Sequence, residues 1–480
     1  MKFSAFLTSV FCFWLATSAF AGHASAAETL ADEISFRNLA GLSARAGDEA
    51  ELRAALARGV KVVVVDSPVR IVGPLVVPTD GKLSFTERGA LYLEPAALVT
   101  IAGALTAPDN RIFYGPGRIV FSGTRSHVHS LQWWGAVPND DRDDTLGIQQ
   151  AIDSLGPGKK LSGEHGTYIV TATLTFRNKT GIHLDFGTGG DGLANSGVIF
   201  EWRGPAGRPI AVGDYFKNSR LTGVTFKGAD TGRHFPSAGF LFTKDLYRSN
   251  SGVIFSECVF RNCAVGLAHG DETYDNDFQS SEHRIVNCTF DNCRIGMYIA
   301  GTPGASQHVN IQLYWCTFKA GQIGEYGVFA AGGHFNIRES NFGAAQSTKP
   351  YTAIYLKGDT SLTQPILIEG CYAEKISRFL ATEDTEIPTQ WFRTAVVTLS
   401  HCWIRTNKDQ TVAFNRAVEI HKNLSLLIVN STILGKILYA PPLSAPDDCK
   451  LTVIGRNQGI EEQVALDRAG KLIILDRLLP

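Results

Sequence analysis

Cys258-Val-Phe260-Arg-Asn-Cys263-Ala-Val-Gly266 is followed thirty residues later by Cys288-Thr-Phe290-Asp-Asn-Cys293-Arg-Ile-Gly296, the same phrase position for position. Its core recurs as Cys316-Thr-Phe318, Ser340-Asn-Phe342, Cys371-Tyr-Ala373, Cys402-Trp-Ile404 and Ser431-Thr-Ile433, and Val224-Thr-Phe226 precedes them all. The third residue falls at 226, 260, 290, 318, 342, 373, 404 and 433, in steps of 24 to 34 residues. A period of this size means stacked supersecondary units.

Each phrase sets apolar or small residues two apart, which is strand periodicity. Gly, Asn, Asp and Ser flank the phrases and supply turns. No repeat carries a helical i, i+3, i+4, i+7 stripe, so helical repeat arrays are excluded. What remains is a coil of short strands, each coil hydrogen-bonded to the next about 4.8 Å away. The expected fold is all-β, a right-handed, single-stranded parallel β-helix with a short N-terminal capping helix. Uneven spacing requires insertions to leave at turns while the inward register is kept.

Five of the nine cysteines (Cys258, Cys288, Cys316, Cys371, Cys402) share one repeat position with Val224, Ser340 and Ser431. Interchange with Val and Ser reads as a small inward residue in a ladder, because free cysteine behaves as a small buried hydrophobe. Cys263 and Cys293 share a second position. Disulfides are the alternative for an exported chain. Zinc fits less well, since residues on adjacent rungs do not converge tetrahedrally.

The chain has 480 residues, 44% of them hydrophobic, which is enough for a large core. Its 45 Lys and Arg nearly balance 46 Asp and Glu, and no basic run interleaved with aromatics points to nucleic acid. Residues 1–26 read as a signal peptide. Met1-Lys2 leads into an apolar run through Ala16, with small-residue cleavage sites after Ala21 or Ala26. No later segment has the length and apolarity of a membrane span. The expectation is a secreted or periplasmic protein without a transmembrane segment once the signal is removed. Residues 27–130 read as a β-rich module or early coils, 131–455 as the β-helix, and 456–480 as a tail or cap. Within the first of these, Asp48 to Ala57 has the pattern of a short amphipathic helix.

A second start signal runs from Trp133 to Ile152. Asp143 or Asp144 is placed as N-cap, with Ile148, Ala151 and Ile152 at helical spacing, and Gly166-Thr-Tyr168 opens a strand beyond it. This segment resembles the opening of the right-handed parallel β-helix proteins of the pectate-lyase superfamily, of the tailspike and pectate lyase 3 type. The residues that carry the likeness are Trp134, Gly135, Ala136, Asp143, Asp144, Thr145, Ile148, Gln149, Ala151, Ile152, Gly166, Thr167 and Tyr168. The chain departs from the pattern at Pro138-Asn139-Asp140, where the family has Gly-Asp-Gly. With the coils that follow, the likeness covers roughly 130–440. It implies the fold, and it implies a polysaccharide as partner. It leaves activity open, since the superfamily holds lyases, hydrolases, epimerases, phage depolymerases and proteins without demonstrated catalysis.

β-Elimination from an acidic polysaccharide needs a base and a cation, Arg, Lys or Ca²⁺, beside the developing enolate. Hydrolysis needs two facing carboxylates. No complete signature of either reaction is present. The densest polar cluster runs from His269 to Arg284. Asp271, Asp275, Asp277, Glu282 and His283 are its candidate acids, bases or Ca²⁺ ligands, and Arg284 is the candidate partner of substrate charge. Tyr274, Glu325, Glu374, Tyr372 and Trp403 are candidate substrate contacts. Tyr372 and Trp403 occupy the outward middle position of the phrase one repeat apart, and Trp315 and Trp391 are further aromatics able to stack on sugars. The run Asp140–Asp144 is better explained by helix capping than by a metal. The reading is an exported protein acting on a polysaccharide by β-elimination or hydrolysis. The alternative is a non-catalytic carbohydrate-binding or surface protein of the same fold.

Overall fold

The computed structural model describes residues 43–123, 128–187, 197–229, 237–243, 249–270, 279–300, 308–344, 347, 349–357, 365–382, 395–406, 416–421, 424–439, 450–455, 464–466 and 471–475. The segment read as a signal peptide lies outside them.

Each turn of the chain lays down three short strands, one on each of three parallel sheets. One coil consists of Ile254–Ser256, Val259–Arg261 and Val265–His269, and the next of Arg284–Val286, Thr289–Asp291 and Ile295–Ile299. We call the sheets the first, second and third faces in that order. Among the described residues they hold thirteen, ten and eleven strands, and each strand pairs with its equivalent one coil away. The chain is therefore a parallel β-helix, right-handed as parallel crossovers are.

The repeated phrase sits at the corner between the first and second faces. Its third residue keeps register through the stack: Phe226, Phe260, Phe290, Phe318, Phe342, Ala373, Ile404 and Ile433 are successive partners. The phenylalanines point inward and stack nearly parallel, Phe290 on Phe318 at 4.6 Å and Phe318 on Phe342 at 4.7 Å. Cys258, Cys288, Cys316, Cys371 and Cys402 form the rung beside them, all buried, and Cys263 and Cys293 are buried at the next corner; all seven are free thiols. Their backbones continue the ladder, with Thr289 N–H donating to the Cys258 carbonyl at 2.9 Å and Thr317 N–H to that of Cys288 at 2.9 Å. Ser340 and Ser431 replace the thiol without loss, because each hydroxyl donates to the carbonyl two residues back at 2.9 Å.

Immediately before each of these small residues the chain turns through a left-handed conformation. Gly223, Glu257, Asn287, Trp315, Glu339, Gly370, His401 and Asn430 all have φ between 45° and 68°. One such residue bends the strand of the first face onto the second without using a loop. Insertions concentrate elsewhere, so the spacing varies while the rungs stay aligned.

The helix Thr145–Ser154 buries Ile148, Ala151 and Ile152. Its polar residues cover the backbone edge that the first strands of the second and third faces would leave open. The Gln149 amide acts as a strand surrogate: its oxygen accepts from Thr175 N–H at 2.7 Å and its nitrogen donates to the Thr175 carbonyl at 3.0 Å. Asp143 takes the Thr145 N–H at 3.1 Å and so supplies the capping bond. Asp144 immediately precedes the helix but makes no side-chain cap bond. Its carboxylate instead accepts from Val137 N–H and Ile169 N–H, both at 2.9 Å, tying the opening loop to the first strand of the second face. In the loop that departs from the family pattern, Asn139 does similar work: its side-chain oxygen accepts from Thr167 N–H at 3.0 Å.

By internal contacts the chain divides into two units, one running to Pro108 with Tyr114–Gly117, the other made of Asp109–Phe113 and the chain from Arg118 on. The first unit, taken by itself, contains the helix Glu49–Ala57, capped by Asp48, whose carboxylate accepts from Glu51 N–H at 2.8 Å. Its strands also pair in parallel, Ser43–Ala46 with Val62–Val65, and that strand with Lys82–Phe85. In the second unit, strand pairing continues to Lys471–Leu475, which lies beside Lys450–Ile454. Among the described residues no helix is long and apolar enough to cross a membrane.

Candidate functional site

Alternation along each strand of the second face sends every other side chain outward. Two rows result, running across the coils at about 4.8 Å per rung. The row from the middle of the phrase reads Thr225, Val259, Thr289, Thr317, Asn341, Tyr372, Trp403 and Thr432. The row two residues on reads Lys227, Arg261, Asp291, Lys319, Gly343, Glu374, Arg405 and Leu434. The first row is mostly Thr and Asn, interrupted by Val259, Tyr372 and Trp403, and the second carries most of the charges, with Gly343 and Leu434 as its uncharged members.

Near the capping helix the face holds an open groove of about 340 Å³, lined by Asn139, Gly166, Thr167, Ile199, Thr225, Lys227 and Arg261. Its charges are paired. Lys227 meets Glu201 at 2.7 Å, Arg203 meets Glu201 and Asp141 at 3.2 Å each, and Arg261 meets Asp291 at 2.9 Å. Partial burial works to raise the Glu201 carboxyl, but Lys227 and Arg203 outweigh it and hold the group below the usual carboxylate range.

Further along, Tyr372 and Trp403 lie one directly above the other. Their ring centroids are 4.6 Å apart and their planes differ by 4°. The Tyr372 hydroxyl donates to Glu374 at 2.9 Å. Lys319 and Arg405 flank this pair in the charged row; both are exposed, and neither has an ion-pair partner among the described residues.

The residues expected from sequence to form one site that are among the described residues do not come together. Asp271, Tyr274, Asp275 and Asp277 lie outside the described residues, as does Trp391. Glu282 is exposed at a left-handed corner, φ 58°, and accepts from the Asn310 amide. Arg284 points outward from the first face, between Ile254 and Gln312 of the adjoining coils. Glu325 precedes the third face and is paired with Arg294 at 3.6 Å and Lys349 at 3.8 Å. Glu374, Tyr372 and Trp403 share the second face. Trp315 is 55% exposed at its corner, its indole N–H donating to Glu339 at 2.5 Å.

His283 requires a correction. It is fully buried and points into the cylinder, so it presents nothing to a substrate on the outer surface. It belongs to an interior group with His269, Ser280 and His308, all fully buried. Val253 N–H donates to His283 Nδ1 at 3.3 Å, which leaves the ring proton on Nε2. That nitrogen donates to Ser280 Oγ at 3.0 Å, and the hydroxyl in turn donates to His269 Nδ1 at 3.0 Å. Both rings stack on Phe242, His283 at 4.3 Å. Burial pushes His283 down to about 3 and His308 to about 4, and takes His269 well below its ordinary value. Burial raises the Cys288 and Cys293 thiols and takes Cys316 to about 12, which leaves these three poor nucleophiles. Among the described residues no group of three or more His, Cys, Asp or Glu is placed to hold a metal such as Ca²⁺.

Sequence reading missed Glu201, Lys227, Arg261, Lys319, Gly343 and Arg405 as members of a common face. The signal was available for all but Glu201, since each follows the third position of the phrase by one residue, but residue types there do not repeat.

No protein-family model matches the chain, and no curated protein does. Solved structures similar to it include the catalytic domain of Agl-KA, at 13% identity over 74% of this chain and 69% of that one, TM-score 0.43. The surface adhesin PfbA of Streptococcus pneumoniae is 13% identical over 72% of this chain and 93% of that one, TM-score 0.43. An alginate lyase from Paenibacillus is 12% identical over 73% and 98%, TM-score 0.39. Likeness at this level does not extend to the chemistry of a site.

Proposed function

We propose that the second face binds an extended polysaccharide running across the coils, and that the protein does so after export. The observation that carries this is the outward, in-register Tyr372–Trp403 stack, which continues a row of threonine and asparagine side chains and lies beside a row that carries charges. Amphipathic aromatics beside polar groups suit sugar rings, which offer apolar C–H faces and hydroxyl edges. A ridged surface that repeats every 4.8 Å suits a polymer better than a compact ligand. Lys227 and Arg203 hold the Glu201 carboxyl below the usual carboxylate range, and Arg261 is ion-paired to Asp291, an arrangement suited to holding a substrate. Binding is therefore the reading put first, and cleavage by elimination or hydrolysis is the finer question for experiment.

The test is a panel of soluble acidic and neutral polysaccharides, with retention on affinity gels read beside release of reducing and unsaturated ends. Retention by wild-type protein, weakened at least tenfold in a Tyr372→Ala, Trp403→Ala double variant of unchanged stability, is expected. Unsaturated ends would assign a lyase and reducing ends alone a hydrolase. No retention and no product across the panel would overturn the proposal.

A further inference from the structure

The spacing of the aromatic pair fixes which way its rings face. A centroid separation of 4.6 Å equals one rung, and the planes are parallel within 4°. The rings therefore lie across the helix axis, and one face of Tyr372 is covered by Trp403. The other face looks toward the preceding rung, where the outward residues are Asn341 and Gly343. Neither covers it with an aromatic or aliphatic group. A Cβ built on Gly343 would meet no atom within 4 Å, so this position opens on empty space. One rung further stands Lys319, paired in register with Gly343. The result is a notch one rung deep, with Gly343 as floor, the Tyr372 ring as one wall and Lys319 above the other. From Lys319 to Glu374 is two rungs, about 10 Å, which admits one saturated ring in van der Waals contact with the aromatic.

Resting on the polysaccharide reading above, we propose that this notch is a subsite for a single anionic sugar unit, carboxylated or sulfated. The C–H face of the sugar lies on Tyr372, its anionic group points to Lys319, and its hydroxyls meet Glu374 and the Asn341 amide. The charge argument is one of contrast within the row. Lys227 and Arg261 are neutralised by Glu201 and Asp291, whereas Lys319 is exposed and has no ion-pair partner among the described residues. Glu374 is held as an acceptor by the Tyr372 hydroxyl and sits at the opposite end from Lys319, so the notch has a polarity that orients its occupant. Tyr372 can provide a flat, immobile wall because Trp403 backs it.

The experiment measures binding of hexagalacturonate, a sulfated hexasaccharide and cellohexaose by titration calorimetry, using the full chain. Gly343→Leu fills the notch, and because its Cβ meets no neighbour the fold should be unchanged, which a thermal melt checks. Expected is at least tenfold tighter binding of one anionic probe than of cellohexaose, a tenfold or greater loss of it in Gly343→Leu, and collapse of the anionic preference in Lys319→Gln. The two anionic probes distinguish carboxylate from sulfate. Equal affinity for cellohexaose, or undiminished anionic binding by a folded Gly343→Leu, would overturn the subsite while leaving the polymer-binding face standing. Failure of the wild-type chain to bind any of the three probes overturns the subsite as well, and the wider panel then decides the fate of the face.

Discussion

Three imidazoles that never meet solvent make the protein sensitive to acid. His269, His283 and His308 are held neutral by burial, and the Val253–His283–Ser280–His269 chain of hydrogen bonds assigns a fixed proton to each link. The sign follows from where protons bind first. As pH falls below the ordinary histidine value of about 6.5, the unfolded chain takes up protons that the folded chain refuses until about pH 4 for His308 and about 3 for His283. Stability supplied by these groups is complete above about pH 6.5, is lost progressively below it, and is fully gone by about pH 4 for His308 and about 3 for His283. Each unit of depression corresponds to about 1.4 kcal/mol. Asp144 acts with the opposite sign, since burial raises its carboxyl to about 6 and the folded state gains from protonating it. Burial also lowers His183 and His334 and raises Asp153 as well as Asp144, so the histidines it depresses outnumber the carboxyls it raises. Urea midpoints should drop markedly between pH 7 and pH 4.5, and His283→Gln should flatten that slope even where it lowers stability at neutral pH. An unchanged slope in the variant would show that other groups control acid unfolding.

Among the described residues the strands are only two to six residues long, and their stability comes from what they stack on. Phe290 lies between Phe260 at 5.0 Å and Phe318 at 4.6 Å, so its removal opens a cavity shared by three coils. Phe290→Ala is expected to cost about 3–5 kcal/mol in chemical denaturation. Cys316→Ser, one position class away, should cost less than about 1 kcal/mol, because Ser340 already shows the hydroxyl donating to the carbonyl two residues back. Comparable losses for the two variants would contradict the assignment of stacking as the main force. The same pair of facts explains what could be read in advance. Inward positions meet their own equivalents on the next rung, so selection for a thiol or a phenyl at one rung favours it at the next, and the phrase repeats in the sequence. Outward positions meet water, so Lys319, Gly343 and Glu374 share a row with no common chemistry to reveal it. His283 belongs to the densest polar run of the sequence, yet it turns inward between the exposed Glu282 and Arg284, just before the strand that Arg284 opens. Trp315 stands at a left-handed corner that other coils fill with glycine, asparagine, glutamate or histidine, so no single residue type marks the corner in the sequence.

A molecule built from equivalent coils offers a ligand the same geometry several times over, and affinity should therefore depend on how many coils the ligand reaches. Lys319, Gly343, Glu374 and Arg405 occupy four consecutive rungs, spanning about 14 Å. On the proposed reading, short oligosaccharides would occupy the Tyr372 face alone, whereas longer ones would also reach Arg405 and the far face of Trp403. Affinity is expected to rise steeply with oligosaccharide length until that span is covered, by at least tenfold from dimer to tetramer, and then to level off. Raising salt should weaken the longer ligands more, since they engage two exposed cations rather than one, and such pairs are screened over about 8–10 Å. Arg405→Gln should lower the plateau without altering affinity for the dimer. The measurement is a series of dissociation constants for size-fractionated anionic oligosaccharides at two ionic strengths. Affinity independent of length would mean that the coils do not act as a continuous binding surface, because a polymer aligned with the rungs gains contacts each time it crosses one.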